Sequence, residues 1–96
     1  MREIELVVGQ ERRLPSAGEI EAAVRRVRLM VSMKGTLAKY PGCTHWHLKR
    51  GRERGTLELT LWPAQRRLWL SVQEGRRAGW IAGAAEALVA ELARGT

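Results

Sequence analysis

Apolar residues recur along this chain with two different periods, and the changes of period divide it into elements. Ile4, Leu6 and Val8 alternate with Glu3, Glu5 and Val7, which predicts a short half-buried strand over residues 3–8. The stretch from Gly9 to Pro15 is polar, carries Arg12-Arg13 and reads as a loop. Ser16-Ala17-Gly18-Glu19 then has the S-x-x-E form of a capping box, which predicts a helix start. Ile20, Ala23, Val24, Val27, Met30 and Val31 follow at spacings of three and four. The helix is therefore expected to run on to Gly35, with Lys34 favourable in its last turn.

Beyond Tyr40-Pro41-Gly42-Cys43, which suits a type II turn, the period changes to two. Strands are predicted over Thr44–Lys49, Thr56–Trp62 and Arg67–Gln73, joined by connections short enough for antiparallel hairpins. A second helix is predicted from about Ala78 to Arg94, with Ile81, Ala85, Leu88 and Leu92 on one face. The expected order is β-α-β-β-β-α. It implies an α+β fold with a three- or four-stranded antiparallel sheet and two helices packed on one face. The 96 residues form one domain, an N-terminal strand and loop (1–15) ahead of an α-β-β-β-α core (16–95).

Alternation also sorts the strand residues by face. Trp46 and Leu48, then Leu57, Leu59 and Leu61, then Leu68, Leu70 and Val72 would form an apolar floor for the helices. The opposite face must carry His45, His47 and Lys49, then Glu58, Thr60 and Trp62, then Arg67, Trp69 and Ser71. The hairpins place His47 opposite Glu58 and Glu58 opposite Ser71, with His45, Thr60 and Trp69 as the neighbouring row. A sheet face with two Trp and two His needs a cover: a ligand, a partner chain or the N-terminal segment.

Charge narrows the choice of partner. The chain has 17 Lys and Arg against 10 acidic residues, a net charge of +7. Fourteen of the basic residues are Arg, and all ten acidic residues are Glu. Lys49, Arg50, Arg52 and Arg54 crowd one hairpin loop, and Arg76-Arg77 precede the last helix, where free backbone N–H groups also favour phosphate. The absence of Asp excludes a Ser-His-Asp triad. A single cysteine, Cys43, excludes an internal disulfide and suits a reducing compartment. No signal-peptide pattern or stretch of about 18 apolar residues is found. The expectation is a cytoplasmic protein with no membrane partner.

The α-β-β-β-α core resembles a double-stranded-RNA-binding domain. That family opens its last helix with K-K-x-A-K-x-x-A-A-x-x-A-L. Here the same spacing reads Arg76-Arg77, Gly79-Trp80, Gly83-Ala84 and Ala87-Leu88, with Trp80 at the third basic position. The resemblance implies that Arg76 and Arg77 grip phosphates across the major groove and that loop 49–54 enters the minor groove, reading A-form shape. Gly42-Cys43-Thr44-His45 also resembles the placement of the catalytic histidine in HicA-type messenger-RNA interferase toxins. That resemblance implies His45 or His47 as a general base, with Glu58 orienting His47.

Cys43, His45 and His47 fall at alternate positions, with Glu58 within reach on the next strand. An H-x-H pair binds zinc when a third ligand converges. No second Cys/His cluster completes a tetrahedral site, so no metal and no cofactor is expected. Trp62, Arg67 and Trp69 suit an interface or a stacking surface. The reading that follows is a small basic module binding structured RNA or another polyanion through Lys49, Arg50, Arg52, Arg54, Arg76 and Arg77. The alternatives are a homodimeric interaction domain using the Trp/His face, and a His-dependent ribonuclease.

Overall fold

A computed structural model describes residues 2–6, 13–72 and 79–95. The elements are β1 (Arg2–Glu5), α1 (Ala17–Arg26), β2 (Met30–Gly35), β3 (Thr44–Lys49), β4 (Leu57–Trp62), β5 (Arg67–Val72) and α2 (Trp80–Gly95). They form an α+β fold with one antiparallel sheet of five strands in the order β1-β5-β4-β3-β2. The expected three or four strands become five because the segment after α1 is itself a strand. No helix among the described residues is long and apolar enough to cross a membrane.

Helix α1 starts where expected. Ser16 accepts from Glu19 N–H while the Glu19 carboxylate accepts from Ser16 N–H, closing the capping box. Arg13 also pairs with Glu19, and these contacts hold the Glu19 carboxyl down at about 2, with the Arg13 hydrogen bond the largest cause. The helix does not reach Gly35. Arg28 adopts the left-handed conformation (φ 63°), with Arg28 N–H donating to Arg25 O and Leu29 N–H to Val24 O. That pair of bonds is a Schellman motif, normally signalled by glycine at the left-handed position. Leu29 supplies the physical reason. Nine residues beyond Ile20, at about 100° per residue, a continuous helix would turn it about 180° away from the core. The turn instead buries Leu29 at 3% exposure beside Val24. Met30 and Val31, expected on the buried helical stripe, are consequently exposed on edge strand β2.

The meander β3-β4-β5 has the expected register. His47 pairs with Glu58 and Glu58 with Ser71; His45 pairs with Thr60 and Thr60 with Trp69. Trp46, Leu48, Leu57, Leu59, Leu61, Leu68, Leu70 and Val72 are all buried in one core with Ile20 and Val24 of α1 and Ile81 and Leu88 of α2. Both helices therefore lie on the same face. Trp46, buried completely, keeps its polar tip satisfied by donating from Nε1 to Glu21 Oε2 at 3.0 Å. Lys34 of β2 reaches the same oxygen at 2.6 Å, tying α1 to the edge of the sheet. The Pro41-Gly42 turn closes as predicted, with Cys43 N–H donating to Tyr40 O and Gly42 at φ 83°. The β4–β5 connection is a single 3-10 turn, Pro63–Gln65, followed by left-handed Arg66.

The Schellman turn makes a signed prediction. Glycine inside a continuous helix costs about 1 kcal/mol relative to ordinary residues. At the left-handed Arg28 position the same residue relieves a Cβ clash. Arg28→Gly is therefore expected to leave the urea unfolding midpoint unchanged or raise it; a clear fall would overturn this chain path.

Candidate functional site

The outward face of β3 and β4 holds the densest chemistry. The two-residue strand period aims both His45 and His47 away from the helices, and the β3/β4 register brings Glu58 and Thr60 alongside them. His45 Nε2 lies 3.1 Å from Glu58 Oε1, and His45 Nδ1 lies 2.7 Å from Thr60 Oγ1. His47 Nε2 is 3.5 Å from the same Glu58 oxygen. The two imidazole rings stand edge to face with centroids 5.0 Å apart.

A carboxylate only accepts, so His45 Nε2 carries the proton directed at Glu58. In the neutral ring Nδ1 then accepts from the Thr60 hydroxyl. Burial holds His45 below the ordinary histidine value of 6.5; the Glu58 charge opposes this and His47 reinforces it. Glu58 thus contacts both histidines and sits closer to His45, whereas it was expected to orient His47. Exposure separates the two rings. His45 is 5% exposed, while the side chain of His47 is 36% exposed and that of Glu58 24%. Cys43 does not join them. It is buried, with its Sγ accepting from Leu37 N–H at 3.3 Å.

The rest of this face is covered by the chain itself. Tyr40, from the β2–β3 connection, packs its ring 4.9 Å from Trp62 and 5.1 Å from Trp69. The Arg67 guanidinium lies over Trp69 at 4.4 Å and is held by both oxygens of Glu5 in β1, at 2.7 and 2.8 Å. The Arg67 hydrogen bond holds the Glu5 carboxyl below its ordinary value. Trp62 Nε1 donates to Pro41 O at 2.9 Å. Trp69 is left 3% exposed. The N-terminal strand, one of the three covers the sequence left open, contributes through Glu5, and Tyr40 is a cover the sequence reading missed. Its signal was position alone, the one tyrosine directly preceding a Pro-Gly turn.

The cationic groups gather at the β3–β4 loop. Lys49 Nζ donates to Gly55 O at 2.8 Å, and Arg50 lies over the Trp80 ring at 5.7 Å. Trp80 Nε1 in turn donates to Arg54 O at 2.6 Å, so the first residue of α2 is fastened to the loop. Arg52 and Arg54 are exposed. Arg76 and Arg77 lie outside the described residues. In the sequence Trp80 stands only as a departure from the basic helix motif; the structure makes it the joint between loop and helix.

Comparison of the chain with models of known protein families, with curated proteins and with solved structures finds no match to any of them.

A histidine with a depressed folded pKa contributes stability that is complete above the unfolded value. That contribution is lost as pH falls through 6.5 toward the folded pKa, because the unfolded chain binds the proton first. Long-range nitrogen-detected NMR is expected to show His45 titrating below 6.5. Titration above that value would show the charged ring to be favoured instead.

Proposed function

We propose that the protein is a small polyanion-binding module whose ligand is structured RNA. The observation that carries this reading is the Trp80 clasp. It fastens the loop bearing Lys49, Arg50, Arg52 and Arg54 to the start of α2. The cationic loop and the first residue of α2, separate in sequence, thereby become neighbours. Holding cations in place before binding reduces the ordering cost of association. Phosphates gathered by several such cations release counterions, which drives binding. The resemblance to double-stranded-RNA-binding domains assigns nucleic-acid contact to the same loop and helix start, with Arg76 and Arg77 as the phosphate grips.

Exposure counts against Trp69 as the centre of a dimer interface and against His45, one of the two candidate bases, as the catalytic group of a ribonuclease. Trp69 and His45 are both nearly inaccessible, while Arg52 and Arg54 are open.

Fluorescence anisotropy with a labelled RNA duplex, from about 50 to 200 mM salt, tests the proposal. The wild-type protein is expected to bind with strong salt dependence. Arg52→Ala with Arg54→Ala, and separately Arg76→Ala with Arg77→Ala, should weaken binding and flatten the salt slope by about 1–2. Trp80→Ala should weaken binding while leaving the charge unchanged. Absence of binding at about 50 mM salt overturns the proposal.

A further inference from the structure

We propose that His45, His47 and Glu58 form a binding site for a divalent transition-metal ion of the zinc class, with water completing the coordination. Their ligand atoms all lie within 4.8 Å of one another. Two imidazole nitrogens and one carboxylate oxygen are a donor set that zinc accepts, and three protein ligands leave a position open. Ligand atoms each about 2.0–2.1 Å from a tetrahedral zinc ion stand about 3.3–3.4 Å apart. The two distances to Glu58 Oε1, 3.1 and 3.5 Å, bracket that spacing. A modest swing of the partly exposed His47 ring closes the remaining side.

Three further features suit an ion better than an acid–base pair. His45 is fixed from behind by Thr60 Oγ1 at 2.7 Å, the placement of a group that orients a metal-bound imidazole. With Nε2 on the ion, the proton moves to Nδ1, which then donates to the Thr60 hydroxyl. The hydroxyl suits both arrangements because it both donates and accepts. Secondly, the ligands lie on adjacent hydrogen-bonded strands, His47 directly opposite Glu58, so the backbone holds the spacing between them. Thirdly, access is one-sided. His45 is closed to solvent while His47 and Glu58 are half-buried, so an ion enters past them. Cys43, which shares the alternate spacing of the two histidines, is turned away to Leu37 and takes no part.

The test uses the full chain, stripped with chelator and titrated with Zn2+ by calorimetry, then with Co2+ by visible absorption. The expected result is one ion per chain, a raised melting temperature, and cobalt ligand-field bands with no thiolate charge-transfer band. NMR should show the His45 proton moving from Nε2 to Nδ1. His47→Ala and Glu58→Gln should each weaken Zn2+ binding at least about tenfold with an unchanged far-ultraviolet dichroism spectrum. Should His47→Ala fail to fold, His47→Gln serves instead. Cys43→Ser should bind like wild type, as should Arg52→Ala with Arg54→Ala, which separates this site from the polyanion surface. Absence of Zn2+ binding at about 1 mM, where affinity falls to about 4 kcal/mol, overturns the proposal. So does unchanged affinity in both ligand variants, or a thiolate band.

Discussion

A slip of one residue between β3 and β4 would dismantle both faces of this protein at once. Side chains alternate strictly across a strand, so the slip would set Glu58 opposite a residue of the core face and turn leucines toward solvent. The native register, His47 on Glu58 and Trp46 on Leu59, is therefore a single constraint with two products. One is the apolar floor beneath the helices. The other is the row of His45, Thr60, His47 and Glu58 on the far side. The energy that selects the register comes mainly from the floor. Burying each of its leucines contributes about 1.5–3 kcal/mol, far more than any surface contact of the polar row. The polar groups are held in place by a packing decision made on the face they do not occupy.

The remaining elements protect that register from its edges. Strand β2 pairs along β3 with a bulge between Val31 and Met33, and Ser32 donates from Oγ to His47 O. It leaves Met30, Val31 and Met33 exposed, an apolar edge that the bulge interrupts. At the other edge β1 pairs with β5, and Glu5 anchors the Arg67 that roofs Trp69. Glu21 links the layers by receiving both the buried Trp46 indole and Lys34. These contacts hold the Glu21 carboxyl below its ordinary value, the Lys34 hydrogen bond most strongly. These ties join separate elements along the sheet and between its layers, and on the outward face itself His45, Thr60, Trp69 and Ser71 are buried.

The parts legible in the sequence were those set by period and local chemistry. Leu57-Glu58-Leu59-Thr60-Leu61 alternates without a break, so its register and the facing of its neighbours followed directly. The capping box and the Pro-Gly turn each rest on contacts within four residues. The end of α1 was illegible because its stop uses Arg28, an ordinary side chain in a left-handed conformation, and because Met30 and Val31 extend the helical spacing by coincidence. What decides there is the burial of Leu29, a tertiary effect. The same limit applied to the site. Register showed that Glu58 faces His47, but ring orientation put its oxygen nearer His45. Tyr40 over the tryptophans and Trp80 against the loop are contacts between elements, and no local spacing encodes them.

Seen this way, the proposed ion has a structural consequence beyond its ligands. His45 and His47 belong to β3 and Glu58 to β4, so an ion held by all three links these strands in their native register. A slipped register sends Glu58 to the other face and breaks the set, so the ion binds only the correct pairing. Its binding free energy then adds to the stability of the native sheet, by an amount that grows with metal concentration. The same link would stiffen the β3–β4 hairpin whose loop carries Lys49, Arg50, Arg52 and Arg54. Cation binding on the sheet face and anion binding at the loop would thereby act on one hairpin, coupled through its rigidity without any shared ligand.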